Sequence, residues 1–164
     1  MTQSDVSDPT PEEVANAMWA QDSASRSAGM SLVEVVRGRA VVSFTVGPSH
    51  VNGLGVCHGG YLFMLADSAM AFASNSENQV ALAAAAQIDF LRPAFLGDTL
   101  HATATTRSAG KRTSITDVEV WRVSVQTDDA AQTAAGDVAL IALMRGRTSK
   151  TGNYVVEPNV RPGS

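Results

Sequence analysis

At 164 residues the chain has room for one real core and not for two comfortable ones. Its residues are 45% hydrophobic and 17% charged, the balance of a soluble globular domain. A net charge of −4 without a basic stripe argues against a nucleic-acid partner, the single cysteine excludes an intrachain disulfide, and no apolar run reaches membrane-spanning length.

The first residues, MTQSDVSDPT, lack the basic start and apolar stretch of a secretory signal, so a cytoplasmic protein is expected. Residues 1–9 are polar and read as a disordered tail. Thr10-Pro11-Glu12-Glu13 then carries a Thr N-cap, Pro at the first helical position and Glu at the third, which predicts a short helix with Val14, Met18 and Trp19 on its apolar stripe. Residues 31–46 alternate as two strands around a turn at Arg37-Gly38-Arg39. GPSHVNGLGVCHGG is rich in Gly and turn formers and reads as a loop.

From Gly60 to about Ser76 there is no further Gly or Pro, and Ala, Leu and Met dominate, so this is the main helix. It is apolar on nearly every face, which predicts cover on nearly every side. Four strands follow, over 80–91, 99–107, 113–125 and 137–147, joined by short linkers that include 127–136. The residues from Thr148 onward are polar and read as a loose tail. One domain over residues 10–148 follows, with flexible ends at 1–9 and 149–164. Consecutive strands with short turns around one buried helix predict an α+β fold in which an antiparallel sheet wraps the helix. A one-layer sheet leaves a flank open, so a dimer is expected.

Within the main helix one residue is out of place. Asp67 follows Leu62-Phe63-Met64-Leu65-Ala66 and precedes Ala69-Met70, and a carboxylate is costly to bury without a partner. Its surroundings suggest why it is there. Asn52, then His58-Gly59-Gly60, then Leu65-Ala66-Asp67-Ser68-Ala69, then Asp89-Phe90-Leu91-Arg92-Pro93, then Gly97-Asp98-Thr99-Leu100 occur in an order and spacing that resembles the hotdog-fold acyl-CoA thioesterases, and among them the phenylacetate-degradation (PaaI-type) branch. The resemblance spans roughly residues 30–147. It implies a hotdog fold, with a long central helix wrapped by an antiparallel sheet that two chains make continuous. It also implies a homodimer as the minimal active unit, commonly assembled into a homotetramer, and an acyl-CoA substrate with an aromatic acyl group of the phenylacetyl or hydroxyphenylacetyl type.

Thioester hydrolysis needs a donor for the carbonyl oxygen and a base or nucleophile. Gly59 and Gly60 stand at a helix start, where backbone N–H groups lack partners and the dipole is positive. Glycine also lets a carbonyl approach closely. The resemblance assigns the oxyanion contact to Gly59, the carboxylate chemistry to Asp67, and positions beside the thioester to His58 and Asn52. A turn-only role for Asn52 and the glycines is the plain alternative. Asp67 lies about 10 Å along the helix from Gly60 and about 13 Å from His58 at 1.5 Å per residue. Groups so far apart cannot serve one carbonyl, so Asp67 is expected to act on substrate held by a second chain, as general base or as nucleophile.

The resemblance also implies a Ser or Thr that some members of the family carry near Ala84 or Ala85; this chain has Ala83–Ala86 there, and Ser68 or Ser74 is the candidate replacement. Arg107, Lys111 and Arg112, with Arg92, are candidates for CoA phosphates. No cofactor beyond the substrate's own CoA is expected, and His50 and His101 have no ligand-spaced neighbours that would suggest a metal. Cys57, adjacent to His58, reads as inert. The competing readings are a hotdog hydratase or dehydratase, whose His-Phe-Pro-Gly loop is absent, and a non-catalytic acyl-CoA-binding dimer.

Overall fold

The computed structural model describes residues 8–123 and 138–158. Among the described residues three α-helices and six strands follow one another, with one 3-10 turn at Pro48–His50: α1 Pro11–Gln21, α2 Ser23–Ser27, β1 Met30–Val36, β2 Arg39–Thr45, α3 Gly59–Asn75, β3 Ala81–Phe90, β4 Thr99–Ala109, β5 Thr113–Val123 and β6 Ala139–Lys150. The strands form one sheet in the order β1-β2-β4-β5-β6-β3, every described pairing antiparallel. The linker 127–136 and most of the tail 1–9 lie outside the described residues.

Local chemistry sets these elements as expected. Thr10 caps α1 through a reciprocal box: Glu13 N–H donates to the Thr10 hydroxyl at 3.2 Å, and Thr10 N–H to the Glu13 carboxylate at 2.8 Å. Gly38 takes the left-handed φ of +70° that the β1–β2 turn needs. Helix α2 was not legible in the sequence: SASRS has no apolar period, and the helix exists because Asp22 accepts from Ser25 N–H at 2.9 Å.

The core lies between α3 and one face of the sheet. Leu65, Ala66, Ala69 and Met70 pack against Val42, Phe44, Leu100, Ala102, Val118, Val120 and Ala142, all nearly or fully buried. Trp19 of α1 covers another part of the helix through Phe72, with ring centroids 5.9 Å apart. Fully apolar cover is where the single chain departs from expectation. Gly60 and Phe63 are exposed and Met64, Asp67 and Ala71 only half-buried, a stripe at helical spacing. The neighbouring edge strand β3 is bare as well: residues 82–87 are exposed on both faces. Within one chain the sheet covers α3 on one side only, because six strands in a single layer cannot close around it.

The C-terminal segment also differs from a loose tail. Strand β6 runs to Lys150, and beyond it Thr151 N–H donates to Val80 O and Val80 N–H to Asn153 O. Asn78 then grips Val156 from both sides, accepting its N–H and donating to its carbonyl at 2.8 Å each. No described helix is long and apolar enough to cross a membrane.

Candidate active site

The loop from Gly47 to His58 delivers the start of α3. His50 sits between the rings of Phe44 and Tyr61, with centroids at 4.7 and 4.6 Å, and its Nδ1 accepts Gly47 N–H at 2.8 Å. Two backbone bonds fix the far end: His58 N–H donates to His50 O and Cys57 N–H to Ala94 O, both at 2.8 Å. Asn52 shapes the tip, its side-chain oxygen accepting Leu54 N–H at 2.9 Å and Val56 N–H at 3.4 Å. That is the turn chemistry of an Asx residue, and it leaves the Asn52 amide NH₂ without a partner among the described residues.

His58 is the N-cap of α3, and its Nδ1 accepts Gly60 N–H at 2.9 Å. The acceptor role at Nδ1 puts the proton of the neutral ring on Nε2, and the residue is exposed. The two glycines have separate steric reasons. A Cβ on Gly60 would come within 3.1 Å of His58 Nδ1, crowding the cap, and one on Gly59 would come within 3.2 Å of the tip of the Phe90 ring. Gly59 N–H, the first of the helix, has no acceptor among the described residues. The backbone donor singled out in the sequence is therefore free while its neighbour is occupied, and it points along the positive end of a 17-residue helix.

Asp67 stands two turns further on, on the half-covered stripe with Gly60 and Phe63. No described residue donates a hydrogen bond to it, and burial pushes its carboxyl above the ordinary carboxylate value. Within one chain nothing shortens the separation from Gly59: both sit on one regular helix, eight residues or about 12 Å apart along the axis.

Other candidates fall elsewhere. The Ser68 hydroxyl is 2.9 Å from that of Ser25 in α2, and Ser74 donates to Ala71 O at 3.3 Å, so both are engaged inside the fold. Arg92 donates to Leu140 O at 2.9 Å. Arg107 is tied to Asp117, which also takes a two-pronged contact from Arg145 at 2.6 and 2.9 Å; these bonds, Arg145 first, hold Asp117 below the usual carboxylate value. Lys111 and Arg112 are exposed in the β4–β5 turn. In the sheet, Thr113 pairs with Ser149 and Ala81 with Lys150, whereas Phe90 pairs with Ala142. The basic turn thus lies near the Ala81 end of β3, and Gly59 at the Phe90 end, roughly 30 Å away along nine strand residues. Cys57 is buried with its thiol pushed up to about 11, by desolvation first and by Asp98 second, so it holds its proton at neutral pH. Among the described residues no three His, Cys, Asp or Glu side chains converge as a metal site.

The sequence profile described as "Thioesterase superfamily" matches residues 54–127. The acyl-coenzyme A thioesterase PaaI of Escherichia coli (strain K12) is 40% identical over 141 residues, covering 86% of this chain and 91% of that protein. This chain belongs to the thioesterase superfamily. The solved structure of E. coli PaaI, from the phenylacetic acid degradation operon, superimposes on this thioesterase with a TM-score of 0.77 at 38% identity, covering 88% of this chain and 95% of that one. A Streptococcus mutans UA159 protein solved with acetyl-CoA follows at 25% identity and a TM-score of 0.65, over 76% of this chain and 90% of that one.

The hotdog architecture expected from the sequence is therefore the one this thioesterase has. What the sequence did not single out is the aromatic pair around the donor. Phe90 leans on Gly59, and Phe63 stands one turn along the same helix face; both are exposed, at 52% and 36%. A phenylalanine pointing outward at the end of an edge strand is the signal, but its partner is known only once β3 and α3 are placed together.

Proposed function

We propose that this thioesterase hydrolyses acyl-CoA thioesters, with Asp67 of one protomer acting on a carbonyl held at Gly59 of another, and that its preferred acyl group is arylacetyl. The observation that carries this reading is the free Gly59 N–H at the head of α3, paired in sequence with a half-buried carboxylate too distant to share its substrate. An N–H at a helix start aimed at a developing oxyanion is the usual electrostatic device of acyl transfer, and loss of one such donor typically costs about 10²–10³ in rate.

In the base form of the reaction, the Asp67 carboxylate takes a proton from water and the resulting oxygen attacks the carbonyl carbon. Negative charge collects on the carbonyl oxygen at Gly59 N–H; its return breaks the carbon–sulfur bond, and the thiolate of CoA takes up the proton. In the nucleophilic form Asp67 attacks first and water then opens the anhydride. Both need an ionised Asp67 and the same donor. His58 serves as a positioning group: its Nδ1 is already an acceptor for the helix, which leaves only the Nε2 edge toward a ligand. Asn52 keeps its NH₂ for the water or the thioester oxygen.

A second protomer is supported by three features of one face: the bare stripe along α3, the unpaired outer edge of β3 and the small Ala83–Ala86 surface. Antiparallel pairing of two β3 edges would reverse one chain against the other and bring the Lys111–Arg112 turn of one toward the Gly59 end of its partner. This suits a nucleotide tail extending from the thioester, with Arg92 and Arg107 as further phosphate contacts. The small alanines leave room for a bulky acyl group. Assembly of such dimers into a tetramer and a cytoplasmic location complete the reading.

Release of free thiol from phenylacetyl-CoA tests the activity, and mixing tests the shared site. Asp67→Asn and Gly59→Val are each expected to be inactive, yet subunit exchange between them restores one intact site in each mixed dimer, about a quarter of wild-type activity overall. No recovery after verified exchange, or full activity of Asp67→Asn alone, overturns the reading.

A further inference from the structure

We propose that Phe90 is a specificity-determining residue, the wall that selects flat apolar acyl groups at the Gly59 donor. The inference rests on the reading of Gly59 as the contact for the thioester oxygen. The phenyl ring meets Gly59 end-on: from the position a Cβ would take there, Cζ lies at 3.2 Å and both Cε atoms at 3.6 Å. Within one protomer the remainder of Phe90 is open, since the residue is 52% exposed although it lies against the helix start.

The donor has polar neighbours and aromatic ones. The polar neighbour is His58, exposed and capping the same helix start through Nδ1, with the Asn52 loop leading into it. The aromatic neighbours are Phe90, which lies against Gly59 itself, and, one turn along α3, the partly exposed Phe63. A thioester carbonyl bonded to Gly59 N–H has two substituents, a polar pantetheine arm through sulfur and the acyl carbon. The arm matches the polar, solvent-facing flank and the acyl group the aromatic one. Two rings in contact gain beyond simple area burial, so an arylacetyl group benefits from Phe90 where an acetyl group, ending within one methyl of the carbonyl, barely reaches it. Phe90 contributes little to the core of the protomer, which is why its exposure calls for a use.

The test compares kcat/KM of the full-length wild type, Phe90→Leu and Phe90→Ala for phenylacetyl-CoA and acetyl-CoA, with Tm and molecular size checked for each. Phe90→Ala is expected to lower phenylacetyl-CoA turnover about tenfold and acetyl-CoA turnover less than about twofold, with Phe90→Leu between. Phe90→Leu keeps the side-chain bulk, so it carries the comparison if the alanine variant does not fold or assemble. Equal losses on both thioesters, or a ratio shifted toward the aromatic substrate, overturn the assignment. A wild type silent on both thioesters would sink the hydrolytic reading itself, whereas an active wild type with an unchanged ratio in the variants sinks the role of Phe90 alone.

Discussion

The imidazole of His58 accepts the backbone N–H of Gly60 at 2.9 Å, so the histidine of the His58-Gly59-Gly60 motif is first of all the cap of its own helix. Asparagine places an amide oxygen close to the position of Nδ1 and is among the best N-caps. His58→Asn is therefore expected to keep the melting temperature and to retain activity within about tenfold of wild type, the range left by a lost positioning contact rather than a lost base. His58→Ala removes the cap and costs about 1 kcal/mol in urea unfolding, with a larger loss of thiol release. An asparagine variant as inactive as Asp67→Asn would instead make the Nε2 edge a proton-transfer group.

Asp67 carries a second expectation, in pH. Its carboxyl is pushed above the ordinary value by desolvation, so the neutral form is favoured by the fold. The stability this contributes is fully present below the unfolded-state value and is lost as pH rises through the higher folded value. At neutral pH Asp67→Asn should thus melt above wild type while losing activity by at least about 10². The acid limb of kcat/KM for wild type should lie above the usual carboxylate range, since only the ionised form reacts. A limb at the ordinary value would mean that Asp67 is solvated in the assembled enzyme.

Gly146 tests the packing that holds α3 in place. A Cβ on this β6 residue would overlap the sulfur of Met70, which is fully buried under the sheet. Gly146→Ala is expected to destabilise by about 1–3 kcal/mol, the usual cost of overpacking. Combined with Met70→Ala, itself worth about 2–5 kcal/mol, the losses should be clearly less than additive because the alanine methyl fills part of the space vacated by the thioether. Chemical denaturation of the two single variants and the double variant measures the coupling.

Lys111 and Arg112 differ from Arg107 in being untied. Arg107 already pairs with Asp117 at 3.2 Å, whereas no described carboxylate pairs with the other two. Neutralising Lys111 and Arg112 together should raise KM for an acyl-CoA about tenfold with kcat little changed, and the effect should fade at high salt. A pantetheine thioester lacking the nucleotide should not distinguish the variant from wild type. A fall in kcat with unchanged KM would remove this turn from the binding surface.

Much of the fold was legible because it is written in local chemistry. The capping box at Thr10, the turn at Arg37-Gly38-Arg39 and the alternation of Val118 and Val120 against Glu119 and Trp121 each act over a few residues, and each is found as expected. Helix α2 escaped because five residues of Ser, Ala and Arg hold no period, only a cap. The hold on the C-terminal segment escaped because Asn78 and Val156 are 78 residues apart in the chain, and nothing in either neighbourhood announces the other.

The candidate site divides along the same line. The sequence by itself determined that Gly59 opens a helix, that a carboxylate lies eight residues further on, and that the two cannot meet in one chain; rise per residue is a covalent and hydrogen-bonding property that no tertiary contact alters. Which of the two glycine N–H groups is free was decided by the rotamer of His58, whose ring turns onto Gly60, and only the tertiary structure decided which aromatic flanks the free one, because that depends on β3 lying beside the head of α3. Side-chain rotation and strand placement are settled by packing among distant residues, and packing is the quantity a linear pattern does not carry.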